Sequence, residues 1–264
     1  MKPDELSRFG TICVGYAEQM ARLQLFAEVA RLGREYVVNA LPLVDKPDKE
    51  LVKQILTYAK TQQPVFHDLL AHVLVRLHGL LDAFVADAVL FMIEHQTQRI
   101  EGTRAGRLTG PIVAFVVLDP AERADRLYEM LLNDLGGADT AGVGRYESVL
   151  EAVGLKGPVA PAVRKLLYTT SKLRNCIVHR NGVVDRRLAN DIPDLQASLG
   201  MRLALEASLA RACLFATMWY FLEVQRRVLP DTTERIETLI AERDSFLTKI
   251  ESGEVATLGF PFAP

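Results

Sequence analysis

Apolar residues recur along this chain mainly at intervals of three and four positions, which is the pattern of amphipathic helices. Sustained alternation of apolar and polar residues, which would indicate strands, is rare. The sequence therefore predicts an all-α protein. The longest periodic stretch runs from Pro64 to Gln98 and carries a wide apolar face, so we expect a central core helix there.

Prolines, glycines and capping residues set the limits of the other predicted helices. These helices span Arg8–Asn39, Asp48–Lys60, Pro120–Leu135, Tyr146–Ala152, Pro161–Arg180, Leu199–Val228 and Thr232–Ile250. We expect an exposed loop at Glu101–Gly110 and a loose tail at Glu254–Pro264. The apolar run Pro111–Leu118 fits either a short helix, which we favour, or a buried strand.

Composition narrows the class of protein. The 264 residues include 31 Lys and Arg against 33 Asp and Glu, a net charge of -2, so a polyanion must be met by a local basic patch. The widely spaced Cys13, Cys176 and Cys213 predict free, buried thiols in a reducing compartment. The polar start of the chain does not resemble a signal peptide, and the longest apolar stretch, Ala212–Leu222, is about half of a bilayer span. We expect a soluble, cytoplasmic protein without a membrane partner.

One segment, from Lys172 to Asp185, concentrates groups with chemical potential. On a helix, Leu173 and Ile177 define the buried direction, and Arg174 then lies about 80° from it, Asn175 about 180° and His179 about 220°. A guanidinium, an amide and an imidazole thus share one exposed arc. We call Arg174, Asn175 and His179 the motif residues.

The motif residues suit RNA cleavage. An imidazole can take a proton from a ribose 2′-hydroxyl or return one to a leaving oxygen, and a guanidinium can neutralise charge on the phosphate. Because Arg174 and His179 are about 140° apart on a straight helix, one copy would hold a single phosphate poorly. Two copies across a twofold axis would converge, which predicts a homodimer.

Further polar residues near the motif form a candidate RNA-binding surface: Lys172, Arg180, Asn181, Arg186 and Arg187. Each has an ordinary structural alternative. His179 and Asn181 can serve the helix C-terminus, Arg174 can be a solvated side chain paired with Asp185 or Asp191, and the positive charge can belong to a solvated face. Tyr168 is expected in the core, with base stacking as its alternative.

Other chemistries have weaker support in the sequence. Cys176 and His179 could form a thiolate pair, but Cys176 lies nearer the buried side and lacks an orienting third residue. The remaining histidines do not follow the spacing of a zinc helix, and we expect the pairs His72 with Asp68 and His78 with Asp82 to support the helix surface. No phosphate-cradling glycine motif is present. We therefore expect neither a metal nor another cofactor.

The string Arg-Asn-x3-His, followed by Arg-Asn-Gly and a hydrophobic pair, resembles the Arg-x4-6-His signature of the HEPN superfamily. Arg174, Asn175 and His179 occupy the matching positions. The resemblance covers about residues 61–230, with residues 1–60 as an N-terminal helical extension and 231–264 as a C-terminal helix and tail. It implies an all-α, HEPN-like helical bundle with additional terminal helices, commonly dimeric.

The resemblance also implies a function. Many HEPN proteins are metal-independent endoribonucleases in toxin-antitoxin, antiviral defence or stress systems, so RNA is the expected substrate and an antitoxin or regulatory protein an expected partner. Arg174 would stabilise the transition state, His179 would transfer a proton or bind phosphate, and Asn175 would orient the phosphate. The family includes inactive members, and the alternative is a noncatalytic interaction or scaffold subunit. A bundle that binds a small ligand in an apolar cleft is a third interpretation.

Overall fold

A computed structural model describes residues 1–39, 53, 67–110, 115, 117–136, 142–205, 207–230 and 235–252. Their α-helices are α1 Pro3–Asn39, α2 His67–His95, α3 Thr97–Ile100, α4 Pro120–Leu135, α5 Val143–Ala152, α6 Pro161–Arg180, α7 Arg186–Asp191, α8 Ala207–Val228 and α9 Arg235–Glu251. Short 3-10 turns occupy Ala105–Arg107 and Pro193–Ser198. Within these ranges the β-type pairing is an isolated bridge between Val183 and Arg202. The predicted all-α class is confirmed.

Helices α4 and α6 have the predicted limits because local residues define both ends. Asp119 caps α4: it accepts from the backbone N–H of Glu122 at 2.9 Å, and its own N–H donates to the Glu122 carboxylate at 3.1 Å. Gly136 then ends α4 in the left-handed region, at φ 63°. Pro161 begins α6, and Asn181 ends it at φ 52°. Proline at the first turn and a left-handed residue after the last turn are the signals on which the prediction rested.

Three predicted helix limits are wrong. Helix α1 begins at Pro3 rather than Arg8, and α5 begins at Val143 rather than Tyr146. The long helix α2 ends at His95, because Gln96 takes a non-helical φ of -121° before α3. The buried Gln96 amide donates to Glu5 of α1 at 3.0 Å, a long-range contact that periodicity does not contain.

The largest error concerns the segment before α8, which was predicted as helix from Leu199. That helix begins at Ala207, since residues 200–203 instead bond to the backbone that follows α6. The N–H of Leu203 donates to the Gly182 carbonyl at 2.7 Å, and the N–H of Val184 donates to the Met201 carbonyl at 3.0 Å. Helix α7, whose N-terminus is capped by Asp185, was not predicted.

Several predictions fall partly or wholly outside the described residues. They are the helix Asp48–Lys60 apart from Lys53, most of the run Pro111–Leu118, and the tail Glu254–Pro264. The predicted exposed loop Glu101–Gly110 contains turns and one 3-10 turn. Helix α9 agrees with the prediction Thr232–Ile250 over the residues described. None of the helices in the described ranges combines the length and apolar content needed to cross a membrane.

Two apolar clusters hold the helices together, and α6 contributes to both. Val163 and Leu167 pack in the larger cluster with α1, α2, α4, α5, α8 and α9. Leu173 and Cys176 pack in the smaller cluster with α2, α7, α8 and the segment before α8. Cys176 is buried and Ile177 only half-buried, so the buried face turns towards Cys176 near the end of α6. The end of α6 that carries the motif residues is therefore fixed against α2 and α8.

A buried ionic network joins α5, α8 and α9. Glu223 is 1% exposed and contacts Arg226, Arg227 and Arg243 at 2.6 to 3.0 Å. Arg227 also reaches Glu147 of α5 at 2.9 Å. Burial opposes ionisation of Glu223, but the hydrogen bonds from the three arginines outweigh it and lower its pKa.

The predicted free, buried cysteines are confirmed for all three positions.

Candidate functional site

The C-terminal turn of α6 is held in place by bonds from the residues that follow it. The N–H of Gly182 donates to the Cys176 carbonyl at 3.1 Å, and the Cys176 thiol donates to the Val183 carbonyl at 3.2 Å. Asn181 adopts the left-handed conformation that allows this reversal. The backbone of Asn181 thus ends the helix, which was the structural alternative predicted for this residue. Its side chain remains exposed. The position of His179 is defined by this turn.

The three motif residues meet at the surface of one chain. Nη1 of Arg174 lies 3.0 Å from Oδ1 of Asn175 and 3.4 Å from Nε2 of His179. Asn175 and His179 are exposed and Arg174 is half-buried. Because a guanidinium can only donate, this contact suits a His179 tautomer with an acceptor at Nε2. The site therefore presents a cation beside an imidazole.

A single copy brings Arg174 and His179 into contact, although the helix period predicts that one copy holds a phosphate poorly. The angle of about 140° applies to the directions in which the side chains leave a straight helix. The arginine side chain is long enough to bend back along the helix surface and reach His179, with Asn175 supporting the guanidinium. The contact between Arg174 and His179 therefore does not depend on a second copy of the chain.

Arg174 is not neutralised by Asp185 or Asp191, its two predicted alternative partners. Asp185 lies 3.4 Å from Arg180, and Asp191 lies 2.7 Å from Lys172. Among the described residues, no carboxylate lies within 4.0 Å of the Arg174 guanidinium. A half-buried cation without a counterion attracts anions more strongly than one that is paired.

The residues predicted to bind RNA differ in what they offer. Lys172 is 14% exposed, binds Asp191 and lies 4.9 Å from the ring of Tyr168. Its hydrogen bond lowers the pKa of Asp191, which also accepts from the Tyr168 hydroxyl at 3.1 Å. Lys172 and Tyr168 thus hold α7 against α6.

The arginines after α6 are more accessible than Lys172. Arg180 is exposed but lies beside Asp185. Arg186 and Arg187 are exposed on α7, and in the described part of the chain neither has an ion pair within 4.0 Å. Asn181 is exposed at the turn between them and His179. These side chains leave a positive surface on the C-terminal side of the motif residues.

The sequence reasoning missed a group of residues beside Arg174. Nδ1 of His78 lies 3.2 Å from Oδ2 of Asp82, which confirms the predicted pair on α2. The pair is half-buried, and the His78 ring lies 6.4 Å from the ring of Tyr146 on α5. Burial raises the pKa of Tyr146, while the charges of Arg145 and Arg174 act in the opposite direction. The sequence shows that His78 and Asp82 are four residues apart on one helix. It does not show that this helix face lies near Arg174 of α6.

The thiolate alternative is not supported by the surroundings of Cys176. Burial raises the pKa of this thiol, the charge of Asp185 adds to the effect, and the thiol proton is directed at the Val183 carbonyl. A nucleophilic cysteine needs the opposite shift. Within the described ranges, His, Cys, Asp and Glu side chains do not gather in threes as a metal site would require.

Comparisons with known proteins returned no relative from which a function could be transferred. No protein-family model matches the chain, no curated protein matches it in sequence, and no solved structure matches it.

Proposed function

We propose that this protein is a metal-independent endoribonuclease of the HEPN type that acts in a toxin-antitoxin, antiviral defence or stress system of the cytoplasm. One observation carries the proposal: Nη1 of Arg174 lies 3.4 Å from Nε2 of His179 and 3.0 Å from the Asn175 amide oxygen, on an accessible surface. An unpaired cation and an imidazole can serve cleavage by an internal 2′-oxygen, and an amide can orient the phosphate.

The reaction follows from the roles that these groups can take. As an RNA phosphate binds Arg174, Nε2 of His179 becomes free to accept the proton of the adjacent 2′-hydroxyl. The 2′-oxygen then attacks phosphorus, and the bond from phosphorus to the 5′-oxygen breaks. Arg174 neutralises the charge on the phosphate oxygens, and the Asn175 amide orients one of them. The products are a 2′,3′-cyclic phosphate and a 5′-hydroxyl, and the 5′-oxygen receives the proton that the imidazole or water returns.

The basic surface beyond the motif residues gives the RNA a path across the protein. Arg186 and Arg187 would contact neighbouring phosphates, with Arg180 and Asn181 between them and His179. Lys172 would act indirectly, because its ion pair with Asp191 fixes the start of this path. Binding through phosphates makes the affinity fall as salt concentration rises.

A test of the activity needs only the purified protein, end-labelled single-stranded RNA and excess chelator. Cleavage that persists in chelator and yields cyclic phosphate ends is the expected result. DNA of the same sequence is expected to remain intact, because it lacks the attacking hydroxyl. Cleavage that requires a divalent metal, or that leaves a 5′-phosphate, would contradict the mechanism.

We also propose a homodimer formed through an apolar patch next to the motif. The patch consists of Val178, Val183, Leu199 and Met201, whose side chains are 47%, 39%, 50% and 62% exposed. Exposed apolar residues that lie together mark interaction sites. Val183 and Met201 lie on backbone segments that bond to each other, which brings these two members of the patch together.

Replacing Met201 with glutamate is expected to convert the dimer to a monomer. A carboxylate in the centre of an apolar interface loses its hydration without gaining a partner. Light scattering after gel filtration measures the mass, and Leu25→Glu, at a 65% exposed site on α1, is the matched control. If the wild-type protein is a monomer, or if both variants behave alike, the proposed interface is wrong.

The same patch would also suit an alternative function, that of a noncatalytic scaffold or interaction subunit. Such a protein would use the patch to bind an antitoxin or another regulatory partner. The chelator assay separates the two functions, because a scaffold leaves the RNA uncut whether or not it dimerises.

A further inference from the structure

A cavity lies on another face of α6, away from the motif residues. It measures about 490 Å³, within the range of pockets that hold small molecules. The cavity is lined by α6, the 3-10 turn Pro193–Ser198 with the residue before it, the segment before α8, α8 itself and the end of α9. The apolar lining includes Leu166, Leu173, Leu203, Leu209 and Ile250.

The polar groups of this cavity are few and lie on separate walls. Lys165 and Thr169 are one turn apart on α6, so an ammonium and a hydroxyl share that wall. Asp194 lies on the wall formed by the 3-10 turn. In the described part of the structure, neither Lys165 nor Asp194 has an ion-pair partner within 4.0 Å, and they do not pair with each other.

We propose that this cavity binds an amphiphile with a hydrocarbon body and a single acidic head, a carboxylate or a phosphate. The apolar walls exclude water from the body, and the Lys165 ammonium and the Thr169 hydroxyl bind the head. Asp194 repels an acidic head from its own wall, which directs the head towards α6. Leu173 lines the cavity while Arg174, the next residue, points about 100° away, so this site is separate from the proposed nuclease site.

Dodecanoate and dodecyl phosphate are suitable probes, used below their micelle concentrations in calorimetric titrations of the full chain. Saturable binding of one molecule per chain is expected for at least one of them. Lys165→Gln is expected to weaken binding about tenfold, the value of one hydrogen bond to a charged group. Lys156→Gln is the matched control, because Lys156 is exposed and pairs with Glu151 outside the cavity.

Two variants test the location. Ala162→Phe fills the wall formed by α6, and Ala204→Trp covers the exposed rim, so that one remains informative if the other fails to fold. Both are expected to weaken binding at least about tenfold, whereas Ala83→Phe on the exposed surface of α2 leaves it unchanged. Wild-type affinity in a folded Ala204→Trp variant would place the ligand elsewhere.

A head-group series tests the charge assignment. Dodecyltrimethylammonium is expected to bind more weakly than either acidic probe, and equal or tighter binding would transfer the head to Asp194 and overturn the assignment. A comparison of the two acidic probes identifies which head is preferred. If neither dodecanoate nor dodecyl phosphate binds saturably, the proposal is wrong. These binding results do not depend on whether the protein cleaves RNA.

Discussion

Replacing His179 with alanine is expected to lower the rate of RNA cleavage by at least about 100-fold, the usual contribution of a positioned acid or base. The imidazole is the group nearest Arg174 that can accept the 2′-hydroxyl proton. Its side chain is exposed, so its removal leaves the core intact. Initial rates on labelled RNA in chelator measure the effect, with circular dichroism and light scattering to verify the fold and the oligomeric state.

Arg174→Ala is expected to cause a comparable loss, about 100- to 1,000-fold, because it removes the charge that stabilises the transition state. Arg174→Lys keeps the charge but loses the planar fork that reaches Asn175 and His179, so partial activity is expected. The matched control is Arg164→Ala, an exposed arginine on the same helix. Wild-type rates in the alanine variants at 174 and 179 would remove both residues from the mechanism.

Replacing Arg227 with methionine is expected to reduce the free energy of unfolding by about 3 to 5 kcal/mol, the cost of removing one partner from a buried ion pair. Arg227 is 7% exposed and contacts Glu147, Glu223 and the Leu155 carbonyl. Methionine fills much of the volume but leaves Glu223, at 1% exposure, with less compensation. Urea denaturation measures the change.

Arg226→Met is the matched control, because Arg226 also contacts Glu223 but its side chain is 27% exposed. Its loss is expected to be clearly smaller, and equal losses would contradict the special role of Arg227. The lowered pKa of Glu223 adds an acid test. Its stabilising contribution is present above the unfolded pKa and is lost as pH falls through the folded pKa. Arg227→Met raises the folded pKa, so acid unfolding should begin at a higher pH than in the wild type.

The helices that could be predicted closely are those whose ends are set by neighbours in the sequence. The Asp119 capping box and Gly136 fix α4, and Pro161 and Asn181 fix α6. The start of α8 could not be predicted in this way, because residues 200–203 bond to a backbone segment that precedes them by about twenty positions. Apolar spacing in 199–206 resembles a helix, and these long-range bonds override it.

The candidate site shows the same division between local and distant information. The shared arc of Arg174, Asn175 and His179 followed from helix periodicity, and their contact in one chain depended only on side-chain length. The pairing of Lys172 with Asp191 depends on α7, and the approach of Tyr146 depends on how α5 packs. Neither the ion pair nor the approach of Tyr146 can be predicted from the residue spacing within α6.

The central claim is that Arg174 and His179 direct a ribose 2′-hydroxyl at the adjoining phosphate, and a single atom in the substrate tests it. The cleavage position is first mapped on a short RNA, and a second RNA then carries one 2′-deoxynucleotide immediately before that linkage. In chelator, the account predicts that the wild-type protein cuts the first RNA to a cyclic phosphate and leaves the substituted linkage intact. Cutting of the substituted linkage at an undiminished rate would contradict the mechanism, and failure to cut either RNA would contradict the proposed function.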